Sequence, residues 1–352
     1  MERKMRGWLI YLAIILLVLA ACSKKETLEN PSSELEEDEE EVLVEEEEPV
    51  VKHRAPFTGM TTEEENMRRP VLVTINNHPL ARPQSGISDA DIVYEFIAEA
   101  NVTRLLALFQ SELPEEIGPI RSARDYFIYV AQGLDAFYVA HGYSPDAQQL
   151  LQSGFIDNVN GMQYDGTLFK RSTERKAPHN SYISGDNVLA AADKTNASME
   201  MKKVPPLSFH DALEDAKIGD DASAIAVRYG VDPNFTSNYV YDVDKGTYIR
   251  TVNERVTTDK VNDEQVELAN VLVFEVDYSV IDDIGRQAVD LESGGKAMLF
   301  QAGLAQAINW ENDNGVLTPV VNGVPAKLVP GKTWIHIVPT NPGMETSVTY
   351  TP

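Results

Sequence analysis

Two hydrophobic periods alternate along the first half of the folded chain, and one dominates the second. Val71-Leu72-Val73-Thr74-Ile75 is an apolar, β-branched run behind Pro70, and Asp91–Ile97 and Thr103–Phe109 are two more. The polar Glu99-Ala100-Asn101 between the latter pair predicts a hairpin turn. Beyond Gly118-Pro119, Ser122-Ala123-Arg124-Asp125 reads as an N-cap with an acidic residue three positions on. Phe127, Val130, Ala131 and Leu134 follow at helical spacing and predict a helix over about 123–133. Ala136–Ala140 reads as a buried strand. Ser144-Pro145 opens a second helix that Gly154 closes, and a third is predicted over Asp186–Lys194.

Past about Asp220 the 3.6-residue period fades. Short runs at Ala224–Tyr229, Tyr239–Val243, Thr247–Val252, Val271–Val276, Lys296–Gln301 and Thr333–Val338 alternate with turns such as Asp244-Lys245-Gly246 and Asn322-Gly323. The expected fold class is therefore a mixed α/β, layered N-terminal domain (52–205) with a β-rich C-terminal domain (219–352), divided near Lys202–Gly219 with its Pro205-Pro206. No internal repeat is visible.

The first 51 residues are of other material. Arg3, Lys4 and Arg6 precede an uninterrupted apolar run, Trp8–Ala21, too short for a comfortable span of about 20 residues. Leu19-Ala20-Ala21-Cys22 resembles a bacterial lipobox, which implies a signal peptide over 1–21 and a lipidated Cys22. Diacylglycerol on that thiol, with acyl chains of the palmitate kind, would anchor the chain in the bilayer, each buried methylene contributing about 0.8 kcal/mol. The expected location is the cell membrane, lipid-anchored, on its extracytoplasmic face. Residues 22–51 then read as an acidic, disordered tether, because thirteen carboxylates stand against Lys24 and Lys25 with little apolar surface to bury.

Composition removes several function classes. A net charge of −25, from 30 basic and 55 acidic residues, argues against a nucleic-acid partner. Cys22 is the only cysteine, so neither a disulfide framework, a multi-cysteine zinc site nor a cysteine nucleophile is available. Histidines at 53, 78, 141, 179, 210 and 336 show no metal spacing, and the chain carries no G-x-S-x-G, H-E-x-x-H, P-loop or G-x-G-x-x-G. No metal and no cofactor is expected. Ser293-Gly294-Gly295-Lys296 fits S-x-x-K in letters, but it sits in a turn between strands where that chemistry needs a helix start.

The candidate chemistry lies between Glu95 and Tyr182. Arg121 and Arg124 flank a predicted helix N-terminus, where free N–H groups favour an anion. His141 sits where a strand runs into a helix, and Arg171, Arg175, His179, Asn180 and Tyr182 crowd one polar loop. Guanidinium forks suit carboxylate or phosphate, so these eight residues form the candidate ligand site. The alternative is that the arginines neutralise Glu95, Glu99, Asp125 and Asp165 as structural ion pairs. Glu95 and Glu99 are also the candidate catalytic pair for glycan cleavage, since on a strand positions 95, 97 and 99 share a face.

Residues 76–86 (Asn76 to Gly86), 118–124, 177–182 and 290–296, with Pro330-Gly331-Lys332-Thr333-Trp334-Ile335, together resemble the YerB-like lipoproteins of Gram-positive bacteria. The resemblance runs from about Ala55 to Pro339. It implies a mixed α/β protein whose two parts are N- and C-terminal domains of unknown function, and it brings no catalytic residues to carry over. Three classes stay open. The first is a binding or scaffolding module for cell-wall glycan or a cell-envelope protein, the expected partner being a cell-wall polymer or an envelope protein. The others are a glycan hydrolase or lyase using Glu95 or Glu99, and a solute-binding lipoprotein.

Overall fold

A computed structural model describes residues 52–352; the expected signal peptide, Cys22 and the acidic tether lie outside the described residues. In chain order the elements that matter are β1 (Val71–Asn76), β2 (Ile92–Glu99), β3 (Val102–Phe109), α1 (Asp125–Gly133), β4 (Phe137–Ala140), α2 (Pro145–Gln152), β5 (Asn158–Asn160), α3 (Gly161–Tyr164), β6 (Phe169–Arg171), β7 (Ser181–Ile183) and α4 (Gly185–Thr195). The second half adds β8 (Ala224–Arg228), β9 (Thr236–Asp242), β10 (Thr247–Val252), β11 (Asn270–Val276), β12 (Gly295–Gln301), β13 (Leu304–Asp313), β14 (Val316–Val321), β15 (Thr333–Pro339) and β16 (Val348–Thr351).

The first half is mixed α/β and the second is β-rich. They share one twelve-stranded sheet whose main path starts at the short edge strand Val324–Pro325 and continues β14-β13-β12-β11-β15-β2-β3-β1-β4-β5, with Asp220–Asp221 pairing on β13 off that path. The join is parallel: Thr333–Ile337 of β15 pairs with Ile92–Phe96 of β2. The interval near Lys202–Gly219 thus separates two sequence regions, while both supply the same layers. On one face Val71, Val73, Leu105 and Val273 pack under α4 and under the smaller sheet, through Ile225, Val227, Tyr239 and Tyr248. On the other face Leu72, Tyr94, Phe96, Leu106 and Phe274 pack under α1, through Tyr126, Phe127 and Val130.

That layering explains the sequence grain. Strands of the large sheet's centre are buried on both faces, so they read as nearly continuous apolar runs, interrupted in β3 by Thr103 and Arg104. The outer sheet faces water on one side, and β10 alternates strictly between buried and half-buried positions.

Of the two predicted caps one is observed, at Ser144, and a third helix is capped by Ser184, which the sequence pattern does not single out. Ser144 Oγ accepts the Ala147 N–H at 3.3 Å with Pro145 in the first turn, and Ser184 Oγ caps α4 at Asn187 N, 3.2 Å. Ser122 does not cap α1, which starts only at Asp125, behind an extended Arg124. The reason is backbone competition. Residues 119–123 run extended between β1 and the exit of β4: Asn76 N donates to Pro119 O, Arg121 N to Thr74 O, His141 N to Arg121 O and Ala123 N to Gly142 O, all at 2.8–3.0 Å.

Candidate functional site

β1, β2, β4, β5 and β15 run parallel, with β3 antiparallel between β2 and β1. Their C-terminal ends therefore form a common edge, the place where open α/β sheets hold ligands. The chain leaves that edge through Asn77-His78, Ala100-Asn101 and His141–Ser144, and the extended 119–123 segment lies across it.

Glu99 ends β2 there. Its Oε1 accepts from Arg104 Nη2 at 2.9 Å and from Arg124 Nη2. Arg104 also donates to Ser122 O at 2.9 Å, and Arg124 to Ala123 O at 2.7 Å. Burial alone would raise the Glu99 pKa; Arg104, Arg124 and Arg121 outweigh it and hold the carboxylate below its ordinary range. Arg124 is thus part of an ion-pair clamp, and its Nε is buried without a hydrogen-bond partner among the described residues. Arg104, not singled out from the sequence, completes the clamp; a lone cation in the apolar run Val102–Phe109 was its visible signal.

Arg121 is different. Half-buried beside the clamp, its guanidinium makes no hydrogen bond or ion pair among the described residues. Next to it, the rings of His78 and His179 stack at 4.7 Å with 27° between planes. His78 Nδ1 accepts the Leu80 N–H, and His179 Nδ1 lies 2.9 Å from Asn76 Nδ2, a donor. With both Nδ1 atoms accepting, each neutral ring carries its proton on Nε2. Burial holds the His78 pKa below 6.5 with help from Arg82 and Arg121, and that of His179 with help from His78, Arg121 and Arg175.

The polar loop supplies support around this pair. Arg171 grips Asp165 through Nε and Nη2 at 3.0–3.1 Å, reaches Asn180 Oδ1 at 3.1 Å, and donates to His141 Nε2 at 2.8 Å. That donation leaves the His141 proton on Nδ1, which faces Ser181 Oγ at 2.6 Å. The ring therefore donates to Ser181 and cannot take its proton as a base. Gly161 is required here, since a Cβ would fall 2.1 Å from His141 Nδ1. Arg175 fastens the loop to the preceding segment, donating to Ala81 O, Pro83 O and the buried Tyr182 hydroxyl at 2.7–2.9 Å.

Glu95 is not at this edge, and it is withdrawn as a catalytic candidate. It is fully buried; Oε1 accepts from Asn77 Nδ2 and Thr103 Oγ1, and Oε2 from Arg250 and from Trp334 Nε1 at 3.1 Å. Arg250 lies over the Trp334 ring at 4.2 Å. His336, the strand neighbour of Glu95, is equally buried between two tyrosines. Tyr229 gives its proton to Glu95 O, so His336 Nδ1–H donates to Tyr229 Oη at 3.0 Å and Nε2 accepts from Tyr239 at 2.6 Å. Nor do Glu95 and Glu99 share a face. The register slips between Ile97 and Glu99, leaving Ala98 as an extra residue, and Glu99 turns to the α1 side.

Among the described residues no group of three or more His, Cys, Asp or Glu side chains is placed to hold a metal ion. Comparison with known proteins bears on the whole chain. Residues 57–198 match the model for the N-terminal domain of a protein of unknown function, DUF3048, and residues 225–335 match its C-terminal domain. A relative from Bacillus subtilis (strain 168), described as "Putative lipoprotein YerB", is 40% identical over 340 residues, 95% of this chain and 96% of that one. A crystal structure of YerB protein from Bacillus subtilis aligns with a TM-score of 0.78 at 41% identity, covering 86% of this chain and all of the other.

Proposed function

The chain belongs to the DUF3048 family, and from that premise we propose that it is a lipid-anchored envelope protein that binds an anionic ligand at the C-terminal edge of its large sheet. The anchor is Cys22, read from its lipobox and supported by the name of the Bacillus subtilis relative. The observation that carries the ligand is Arg121. Three guanidinium groups, Arg104, Arg121 and Arg124, surround the single carboxylate of Glu99, and two of them are spent on it. The third is left half-buried beside two imidazoles that display N–H groups, a donor-rich, cationic niche in a protein of net charge −25. A cell-wall polymer or an acidic face of an envelope protein fits that niche, the polymer being the first choice for a protein tethered at the membrane.

The glycan-cleaving alternative has lost its carboxylates as free groups. Glu95 has no surface for a sugar to reach, and Glu99 is held ionised by two arginines, which unsuits it as a proton donor. Co-sedimentation of the 52–352 fragment with purified wall polymer tests the binding reading; this stretch carries its own cores and lies within one compact unit. Binding is expected to weaken with salt and to fall at least tenfold in Arg121→Gln. Equal binding by wild type and variant contradicts it.

A further inference from the structure

A cleft of about 420 Å³ opens beside the anion niche, between the 79–84 loop and the Val252–Thr258 hairpin. Arg82, Gln84, Asn234, Asn253, Arg255 and Thr257 are among its walls, and none of its lining residues is acidic. In a chain with 55 carboxylate side chains against 30 lysines and arginines, a cleft lined by two arginines and no acid is a locally cationic surface. A neighbouring cleft on the other side of the same hairpin is lined by Glu254 as well as Arg228.

Arg82 joins the cleft to the niche. It follows His78 by four residues across the single 3₁₀ turn Pro79–Ala81, a separation of about 8 Å at about 2 Å per residue. Its Nε and Nη2 are fixed on Asn77 Oδ1, Asn77 O and Asn234 O at 2.6–3.2 Å, which leaves Nη1 without a partner among the described residues. Arg255 stands exposed on the opposite wall, set there by a turn in which Asn253 and Glu254 both take positive φ.

We propose that this cleft is a second subsite of the same binding groove and that the ligand is a linear polymer carrying phosphate groups. One phosphate sits at Arg121, His78 and His179, and a neighbouring one sits between Arg82 and Arg255. The inference rests on the anion reading of the Arg121 niche and deepens it. Phosphate fits better than carboxylate because the niche donors come from three separate segments, after β1, across the sheet edge and from the 171–182 loop. Donors converging from several sides suit a tetrahedral anion, where a planar carboxylate is met by one fork. A polymer fits better than a bilayer surface because both positions are recessed: Arg121 is half-buried and the Arg82 cleft is a concavity of about 420 Å³, which a threading chain enters and a flat headgroup layer does not.

Calorimetry on the 52–352 fragment, with inorganic polyphosphate and pyrophosphate as probes, separates this inference from the reading beneath it. Wild type is expected to prefer the long chain by tenfold or more, and Arg255→Gln to abolish that preference. Arg121→Gln is expected to weaken both probes. An intact preference in Arg255→Gln, with both probes weakened in Arg121→Gln, overturns the second subsite and leaves the anion niche standing. No effect of Arg121→Gln overturns both. Absence of polyphosphate binding to wild type, or equally tight binding of polyglutamate or of phosphatidylglycerol vesicles, overturns the phosphate-polymer assignment.

Discussion

Glu95 and Glu99 stand four residues apart on one strand, each facing arginine, yet they belong to different kinds of structure. The Glu95 side chain is 1% exposed and its partners Arg250 and Trp334 come from the far half of the chain. The Glu99 side chain is 35% exposed, and its partners leave a cation over. Where one buried guanidinium meets one buried carboxylate, as Arg250 meets Glu95, the ion pair joins two halves of the chain, although Arg250 Nε itself has no hydrogen-bond partner among the described residues. At the Arg121 edge one guanidinium is left over, and the proposed ligand site rests on that surplus. The difference lies in the accounting of charge rather than in the residue types.

The comparison breaks most visibly through the interior. Arg250→Met strips a buried carboxylate of its cation, and removing one partner of such a pair costs about 3–5 kcal/mol. A melting temperature lower by on the order of 10 °C is expected by calorimetry for a chain this long. A near-neutral result would mean that the Glu95 network does not hold the halves together.

Acidification should move the two regions in opposite directions. His336 is held neutral by burial and by Arg250, its pKa brought down to about 4. An unfolded chain takes up that proton near pH 6.5 and the native state refuses it, so stability drains away as pH falls from about 6.5 to about 4, by about 3 kcal/mol. The depressed pKa of Glu95 adds to the loss once pH falls below its unfolded value of about 4.5. At the edge, His78 and His179, faced by Arg82, Arg121 and Arg175, gain charge only below pH 6.5, and anion binding should tighten there. Melting curves and binding isotherms taken over pH 7 to 5 check both signs, and parallel trends would erase the distinction.

A smaller effect sharpens the edge itself. Gly161→Ala drives a methyl into the His141 ring, and overpacking of this kind costs about 1–3 kcal/mol. Ligand binding should weaken with it, because His141 and Arg171 brace the loop that carries His179. Unchanged melting and binding would show that the ring can move aside freely.

Much of the fold was legible because its causes are local. The apolar runs at 71–75 and 105–109 announce strands covered on both faces, and Ser144-Pro145 announces a helix start. The pairing of β15 with β2 was not legible, since nothing in either strand names its neighbour across more than two hundred residues. Glu95 was misjudged for the same reason: its partners lie 155 and 239 residues away. A one-residue bulge reversed the facing of Glu99, and a period-two argument cannot see a bulge. At the proposed site, Arg121 is a sequence candidate because it flanks a predicted helix start, and His179 because it lies in a crowded polar loop. His78 carries no local signal of a role, because it stacks on His179, a hundred residues on.

The central claim is that Arg121 is surplus to the fold and serves a ligand. The most direct test is the melting temperature of Arg121→Gln and wild type, each with and without polyphosphate. A ligand that binds only the native state raises wild-type stability by RT ln(1 + [L]/Kd), about 2.7 kcal/mol at a hundredfold excess over Kd. The account predicts that the variant melts with wild type when unliganded, within about 0.5 kcal/mol, and loses most of the ligand-induced shift. A variant that melts far earlier on its own, or one that keeps the full shift, would contradict it.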